Sequence, residues 1–384
     1  MTVSSQTSLV RRVQCPSCSH AFGPESIRFI SEHSALQGDS IAGPLEGLRF
    51  RSSRFDLDGN AIDMQGRVCT RVACPNCHIE MPRALLECPT TCISIVGAPG
   101  TGKSCLIGAA SWSLRKWAGL FGYSWVDVEP RLNALLHGYE SGLFQGVAGD
   151  VQKPPKTGVS GGDWYHQVRV GSRVEIAPKP MYFRIARTGG APSVVVMYDN
   201  AGEHFQPVAA NAQPSHTRHL GRAQALVFVL DPTAQKATER LHRQELILIE
   251  AVARIRRLAG LDQSAKLAIP LIVALTKADL WGKLVGLDLS RRPILAGSQG
   301  ELDRAAIDSA ASRAKSHVNN VFPELMQSLS AFADTVHWVP CSAIKTTKQE
   351  AMNAERVRPE PEWAEVPFLV AIAEAELRRN DKSA

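Results

Sequence analysis

A glycine-rich segment about a quarter of the way along the chain has the composition of a phosphate-binding loop. It follows a β-branched, apolar run that ends at Val96 and precedes a helical pattern that begins at Lys103. Glycines let successive backbone N–H groups turn toward phosphate oxygens, and the start of the helix adds partial positive charge. Lys103 can reach the terminal phosphates, and the Ser104 hydroxyl can ligate Mg²⁺. The predicted nucleotide-contacting residues of this loop are Gly97, Ala98, Pro99, Gly100, Thr101, Gly102, Lys103, Ser104 and Cys105.

Three further short segments also follow apolar runs, in the order 199–202, 276–279 and 341–343. The first places a carboxylate and a glycine N–H in one loop, which can respond to both a metal ion and a terminal phosphate. In the second, Asp279 can accept hydrogen bonds from the ring N–H and the exocyclic amine of guanine, a pair that adenine lacks. The sequence therefore predicts a site that binds a nucleoside triphosphate and reads its base.

Together these four segments resemble the motifs of the Ras-like P-loop GTPase superfamily, over residues 92–379. The resemblance implies bound GTP or GDP, and Mg²⁺ held by Ser104 and, through water, by Asp199. It also implies that the Gly202 N–H senses the γ-phosphate, that the Lys277 stem lies along the base, and that the Ala343 N–H meets the base oxygen. The residues so implied in these three segments are Asp199, Gly202, Thr276, Lys277, Asp279, Ser342 and Ala343.

The candidate catalytic residues differ from those of that superfamily. Glu203 follows Gly202 at the position where the superfamily usually has a water-orienting glutamine, and His204 stands next to it. Either side chain can hold the attacking water, although a carboxylate there also repels the γ-phosphate. Thr157, after a proline-rich stretch, is the candidate switch threonine for the Mg²⁺ shell, with an ordinary loop threonine as the alternative. No arginine immediately precedes it, so we expect turnover on the order of 10⁻³ s⁻¹ or below without an activating partner.

Two Cys-x-x-Cys pairs near the N-terminus predict a zinc site of the residues Cys15, Cys18, Cys74 and Cys77. Each tight turn aims two thiolates at one point, so that two turns can complete a tetrahedron around Zn²⁺. The arrangement resembles a zinc ribbon with a long insertion; redox pairs and metal-free thiols are the alternatives. The cysteines at 69, 88 and 92 lack paired spacing, and the neighbouring His20 and His78 are expected at the surface. Docking of this region to protein and docking to nucleic acid are both compatible with the sequence.

Composition narrows the class of protein. The chain has 384 residues, a net charge of +6 and 44% apolar residues, as in ordinary globular proteins. It has no dense basic run, no apolar stretch long enough for a membrane span, and no apolar leader at its N-terminus. The nine cysteines are accordingly expected in a reducing compartment, and the cytoplasm is the predicted location.

The composition and the pattern of apolar residues change near residue 91. We expect a small zinc-ribbon-like domain with an insertion at 1–91, and a Ras-like GTPase domain at 92–384 with insertions near 121–163 and 283–334. In the second domain strands alternate with helices, which predicts an α/β fold whose mostly parallel sheet has helices on both faces. The expected strands are 92–96, 181–186, 193–198, 225–230, 269–275 and 335–339, and the expected helices 103–120, 237–258, 301–332 and 362–379.

These features favour a GTP-hydrolysing molecular switch that changes shape in 150–165 and 199–220 and signals to an unidentified protein effector. The architecture also resembles uncharacterised bacterial GTPases of conflict or regulatory systems. One alternative is an AAA-type ATPase, because the phosphate loop fits that class too; such enzymes usually end the second strand with Asp-Glu, whereas this chain has Asp199-Asn200. The other alternative is a non-hydrolysing, nucleotide-bound scaffold that contacts nucleic acid through the zinc region.

Overall fold

The computed structural model describes residues 9–145, 164–205, 214–236, 238–345 and 359–381. Thr157 lies outside the described residues, as do parts of both segments expected to change shape. None of the described helices has the length and hydrophobicity that crossing a bilayer requires.

The N-terminal region is built from short antiparallel strands rather than from one continuous sheet. Four of them form a sheet in the order β10-β9-β3-β6, and the others pair as β1-β2, β4-β5 and β7-β8. Their bounds are β1 Val13–Gln14, β2 Ala21–Phe22, β3 Arg28–Ile30, β4 Gln37–Asp39, β5 Gly43–Gly47, β6 Arg49–Phe50, β7 Ala61–Ile62, β8 Val68–Cys69, β9 Val72–Ala73 and β10 Glu80–Met81.

A seven-stranded sheet forms the centre of the rest of the chain, in the order β12-β15-β16-β11-β17-β18-β19. The pairs β12-β15 and β15-β16 are antiparallel, and the other four pairs are parallel. The strands are β11 Thr90–Gly97, β12 Tyr123–Asp127, β13 Tyr165–Val170, β14 Arg173–Pro178, β15 Met181–Arg187, β16 Ser193–Asp199, β17 Ala225–Leu230, β18 Leu271–Leu275, β19 Val336–Pro340, β20 Ser342–Lys345 and β21 Glu360–Glu362. β13 pairs with β14, and β20 with β21, outside the central sheet.

Seven α-helices accompany these strands among the described residues: α1 Lys103–Trp117, α2 Ala134–Phe144, α3 Thr238–Ala259, α4 Ala278–Trp281, α5 Arg304–Val321, α6 Pro323–Phe332 and α7 Val366–Asp381. The central strands β17 and β18 are buried along their whole length, as apolar runs covered on both faces should be. The predicted α/β fold with a mostly parallel sheet is therefore confirmed.

Two local expectations need correction, and one segment has structure that the sequence did not predict. Residues 121–163, expected as an insertion, contain the edge strand β12 and the helix α2 in their described part; β12 is held by Trp125, whose ring stacks on Phe183 at 4.5 Å. The single helix expected over 301–332 is broken between α5 and α6, because Pro323 has no N–H to continue α5 and begins a new helix instead. The last helix begins at Val366 rather than near 362, since β21 occupies that position.

Strand β16 divides two hydrophobic clusters. Val195 and Met197 face the cluster shared by the central sheet and its helices. Val194, Val196 and Tyr198 face the other cluster, which also contains the cysteines and apolar side chains of the N-terminal region. Successive side chains of a strand point to opposite faces, so one strand joins both cores. The N-terminal region thus lies directly on the sheet that carries the nucleotide motifs.

Candidate nucleotide site and metal centre

The phosphate loop joins β11 to α1 as the sequence requires. Gly100 and Gly102 have φ angles of 82° and 91°, which side chains with a Cβ adopt only with strain. A Cβ at Gly97 would lie 2.6 Å from the Val229 carbonyl oxygen, so only glycine fits between β11 and β17. The loop therefore presents bare backbone at the N-terminus of a helix, which is the arrangement that binds phosphate.

Lys103 is the buried cation of this loop. Only 7% of it is exposed, and its Nζ donates to the Ala98 carbonyl at 3.3 Å. Burial lowers the pKa of Lys103, while the negative charges of Asp199 and Glu203 act in the opposite direction. A phosphate at this loop would add negative charge beside Lys103 and favour its charged form.

The Asp199 loop, residues 199–202, lies against the phosphate loop. The Ser104 hydroxyl donates to Asp199 Oδ2 at 2.7 Å. A Cβ at Gly202 would approach the Gly97 carbonyl oxygen to 2.6 Å and Pro99 Cδ to 2.7 Å. A hydroxyl and a carboxylate at this separation are the hard oxygen donors that Mg²⁺ takes beside phosphates, so the residues present fit that ion.

Asp199 has a second hydroxyl partner that the sequence did not indicate. Tyr139 of α2 donates to Asp199 Oδ2 at 3.2 Å, and Trp164 Nε1 donates to the Tyr139 oxygen at 2.5 Å. Burial raises the pKa of Tyr139, so its hydroxyl stays protonated and donates. No local signal marks this tyrosine, because it is 60 positions from Asp199 and lies in the segment read as an insertion.

The base-reading segments meet on the other side of the phosphate loop. Thr276 Oγ1 donates to the Thr101 carbonyl at 2.8 Å, and Lys277 Nζ lies 3.4 Å from the Gly100 carbonyl oxygen. The Ser342 hydroxyl donates to Asp279 Oδ1 at 2.5 Å, which joins the third predicted segment to the fourth. All four predicted segments therefore converge on one edge of the sheet.

Asp231 is a further residue of this region that the sequence analysis missed. It directly follows β17, and its Oδ2 lies 2.6 Å from Lys277 Nζ. A carboxylate at the carboxyl end of a parallel strand was a usable signal, because ligand-contacting groups gather at that edge. The contact fixes the lysine stem that the sequence analysis placed along the base.

The two candidate catalytic side chains have different surroundings. Glu203 is half-buried, and its charge acts on Lys103. His204 is buried; its ring stacks on His216 with centroids 4.4 Å apart, and Arg254 donates to its carbonyl oxygen at 2.6 Å. Of these two side chains, Glu203 is the one whose negative charge interacts with Lys103 of the phosphate loop. The catalytic roles assigned to both residues stay predictions.

The four cysteines of the two Cys-x-x-Cys turns form one cluster. All four Sγ atoms lie within 4.8 Å of one another, and the sulfurs of the pairs 15/77 and 18/74 are 3.7 Å apart. Tetrahedral Zn²⁺ with Zn–S distances of about 2.3 Å requires sulfurs about 3.8 Å apart. The donor set and its spacing fit zinc. Cys69, Cys88 and Cys92 are not members of the cluster.

Both cysteine turns have the same backbone geometry. The N–H groups of Ser19 and His78 each donate, at 3.0 Å, to the carbonyl of the cysteine four positions earlier, and both residues have positive φ angles of 65° and 57°. The sequence analysis expected His78 at the surface, which is wrong. Its Nδ1 lies 2.7 Å from Asp39 Oδ1, and only 7% of the residue is exposed. His20 is exposed, as expected.

One known family matches part of this chain. Residues 173–339 match the model of the Double-GTPase 2 family, a span that includes the Asp199 loop and the base-reading segment at 276–279. The phosphate loop precedes that span and completes the set of motifs in the same sheet. The chain is thus similar to a GTPase family over less than half of its length.

The chain is also similar to a curated protein and to solved structures. It is 28% identical over 171 residues to a Mycolicibacterium smegmatis protein described as ESX-1 scaffolding and assembly protein SaeC. That match covers 44% of this chain and 40% of the relative, so the chain spans less than half of that relative. A small COPII coat GTPase SAR1 structure from Encephalitozoon cuniculi, in complex with GDP, shares 13% identity over 78% of this chain and 86% of that one, with a TM-score of 0.30. A structure of an SsGBP variant also shares 13% identity, over 75% of this chain and 57% of that one, with a TM-score of 0.28.

Replacing a cluster cysteine should remove the metal from this chain. We expect Cys18→Ser to lose most bound zinc and to unfold at lower temperature, because three thiolates and a hydroxyl close the tetrahedron poorly. Inductively coupled plasma mass spectrometry of the purified chain measures the zinc. Cys88→Ser, a buried cysteine outside the cluster, is the matched control and should keep its metal. Full zinc content in Cys18→Ser would contradict the assignment.

Tyr139→Phe removes the hydroxyl that donates to Asp199, the carboxylate expected to contact the Mg²⁺ shell. We expect the Mg²⁺ concentration needed for tight nucleotide binding to rise roughly fivefold, because Asp199 loses one hydrogen bond that orients it. Nucleotide affinity in excess EDTA should stay unchanged. Mg²⁺ titrations with a fluorescent nucleotide give both values, and Tyr123→Phe, at the far edge of the sheet, is the control. An equal loss with and without Mg²⁺ would count against this role.

Proposed function

We propose that the chain binds GTP with Mg²⁺, hydrolyses it slowly, and acts as a molecular switch on a protein partner. The observation that carries the proposal is the contact of Ser342 with Asp279, beside a phosphate loop that is joined to the same segment by Thr276. A carboxylate held this way is set to accept hydrogen bonds from a base.

The chemistry of that carboxylate favours guanine over adenine. Guanine offers a ring N–H and an exocyclic amine side by side, which a carboxylate accepts as a charge-assisted pair. A site built around such a pair rejects a ligand that lacks it by about 10⁴-fold or more. The hydrogen bond from Ser342 restricts rotation of Asp279, so the carboxylate is oriented before the base arrives. In an AAA-type ATPase the base is adenine, which lacks this pair of donors, so Asp279 would have no role in base binding.

The phosphate side supplies the parts that hydrolysis needs. Lys103 and the N-terminus of α1 can neutralise charge that develops on the phosphates, and Ser104 and Asp199 would hold Mg²⁺. An ion held by these two residues would supply positive charge that polarises the phosphates. Glu203, whose charge acts on Lys103, is the residue we propose for holding the attacking water.

We further propose that the cysteine cluster holds Zn²⁺ and stabilises the N-terminal region, whose strands are too short to form a large core. A protein is the partner class that the comparisons favour, because the Mycolicibacterium smegmatis relative is described as a scaffolding and assembly protein. A switch suits such a role, since its two nucleotide states can recruit and release a partner.

Asp279→Asn tests the base-reading proposal. The amide presents a donor where the carboxylate accepted, so we expect GTP affinity to fall by about a hundredfold or more and XTP affinity to rise, because xanthine offers a carbonyl at that position. Competition of GTP and XTP against a fluorescent diphosphate measures both.

Asp334→Asn is the matched control for that experiment. Asp334 is exposed and lies after α6, where its Oδ1 is 3.5 Å from Lys266 Nζ. It should leave the order of affinities unchanged. Retention of GTP preference by Asp279→Asn would remove the base assignment while leaving phosphate binding intact.

Substitutions of Glu203 separate charge repulsion from water positioning. Glu203→Gln removes a negative charge from beside Lys103, so affinity for a non-hydrolysable GTP analogue should rise several-fold relative to GDP. Glu203→Ala should instead lower the single-turnover hydrolysis rate by tenfold or more, as loss of a general base or water holder does. Glu324→Gln, exposed on α6, is the control. Unchanged hydrolysis in Glu203→Ala would exclude Glu203 as the residue that holds water.

A further inference from the structure

The first cysteine turn, residues 15–18, contacts the residue before the Asp199 loop and a segment that follows the loop in the chain. Tyr198, the residue before Asp199, donates its hydroxyl to the Pro16 carbonyl at 2.8 Å. The 214–222 turn is a 3₁₀ segment that follows the loop along the chain. Its Arg222 donates to the Cys15 carbonyl at 3.0 Å and to the Pro16 carbonyl at 3.3 Å.

Further contacts hold these groups together. Arg222 Nη2 lies 3.4 Å from the Tyr198 oxygen, and the Tyr198 ring stacks on His219 of the same turn with centroids 4.0 Å apart. Arg218 donates to the Cys18 carbonyl at 3.3 Å and to Glu175 of β14 at 2.5 Å. The acceptors in the cysteine turn are backbone carbonyls, whose directions depend on the shape of the turn.

We infer that the four-cysteine centre positions the Asp199 loop, so that metal occupancy and the nucleotide's terminal phosphate influence each other. Tyr198 and Arg222 are the positioning residues that connect them. The inference rests on the proposed function, because it assigns the zinc site a role in the nucleotide switch.

The connection runs through hydrogen bonds, a ring stack and the peptide bond between Tyr198 and Asp199. Metal fixes four sulfurs and with them the carbonyls of residues 15, 16 and 18. Those carbonyls hold Tyr198 and the 214–222 turn, which lie immediately before and shortly after the Asp199 loop. The loop in turn touches the phosphate loop through Ser104 and through the close approach of Gly202 to Gly97. A metal ion or phosphate that shifts its end of this connection changes the preferred position of the other end.

Burial restricts the movement of the side chains that form this connection. Tyr198 and His219 are 1% and 3% exposed, and the N-terminal cluster of apolar side chains surrounds Tyr198. Rearranging Arg222 leaves a partly buried cation without its acceptors, which is unfavourable. The contacts should therefore move as a unit with the loop.

Thermodynamic linkage supplies a test whose readout is metal binding. If zinc alters the ratio of GTP to GDP affinity, then the nucleotide must alter zinc affinity by the same factor. The full chain is loaded with GDP or with a slowly hydrolysed GTP analogue, and zinc is titrated against a competing colorimetric chelator. We expect zinc dissociation constants that differ by about fivefold or more between the two loaded forms.

Variants of the two positioning residues test whether these residues connect the zinc site to the Asp199 loop. Tyr198→Phe and Arg222→Met should retain one zinc ion per chain but bring the ratio of the two zinc affinities toward one. Arg83→Met is the matched control, because Arg83 lies in the N-terminal region and contacts Asn60 and Glu87 rather than the Asp199 loop. It should keep the wild-type ratio. A wild-type ratio in both Tyr198→Phe and Arg222→Met would overturn the assigned residues.

Failure of the inference differs from failure of the proposed function. Equal zinc affinity in the GDP and GTP-analogue forms, with both nucleotides tightly bound, overturns only the coupling. Absence of guanine-nucleotide binding overturns the proposed function and the coupling with it.

Discussion

Parallel pairing of five strands is the constraint on which the nucleotide site depends. β16, β11, β17, β18 and β19 run in one direction, so their carboxyl ends lie at the same edge of the sheet. The residues that follow β11 and β19 are more than two hundred positions apart in sequence, yet their backbones are only a few strand spacings apart. The register that pairs Leu230 with Leu275 and Leu275 with Pro340 places the base-reading segments beside the phosphate loop. The polar contacts of the site follow from that backbone arrangement.

Strand β16 adds a second constraint, because both of its faces are buried in different cores. Its inward residues belong to the core of the central sheet, and Tyr198 reaches the cysteine turn on the opposite face. The strand ends at Asp199, the residue expected to respond to metal and phosphate. The N-terminal region, with its four-cysteine cluster, therefore lies directly behind the strand that leads to Asp199. This placement would connect the N-terminal region physically to the proposed switch.

Much of this organisation could be predicted from sequence, since the buried strands are β-branched runs and each is followed by a recognisable motif. The predicted strand at 225–230 has the observed bounds of β17, and the four cysteines come together as expected. The sequence did not predict the long-range contacts between residues that belong to no motif. Tyr139 and Arg222 belong to no motif, and the segment of β12 has only a short alternating pattern. His78 was misplaced because its partner, Asp39, is distant in sequence. Such contacts depend on tertiary packing, which local patterns do not encode.

The central claim is that the four segments form a guanine-specific site, and the most direct measurement is nucleotide competition on the wild-type chain. A fluorescent diphosphate bound in the presence of Mg²⁺ is displaced by GTP or by ATP, and the two midpoints are compared. The account predicts that GTP displaces the probe at a concentration lower by at least about a thousandfold. Displacement by ATP at equal or lower concentration would contradict it, because Asp279 would then have no base to read.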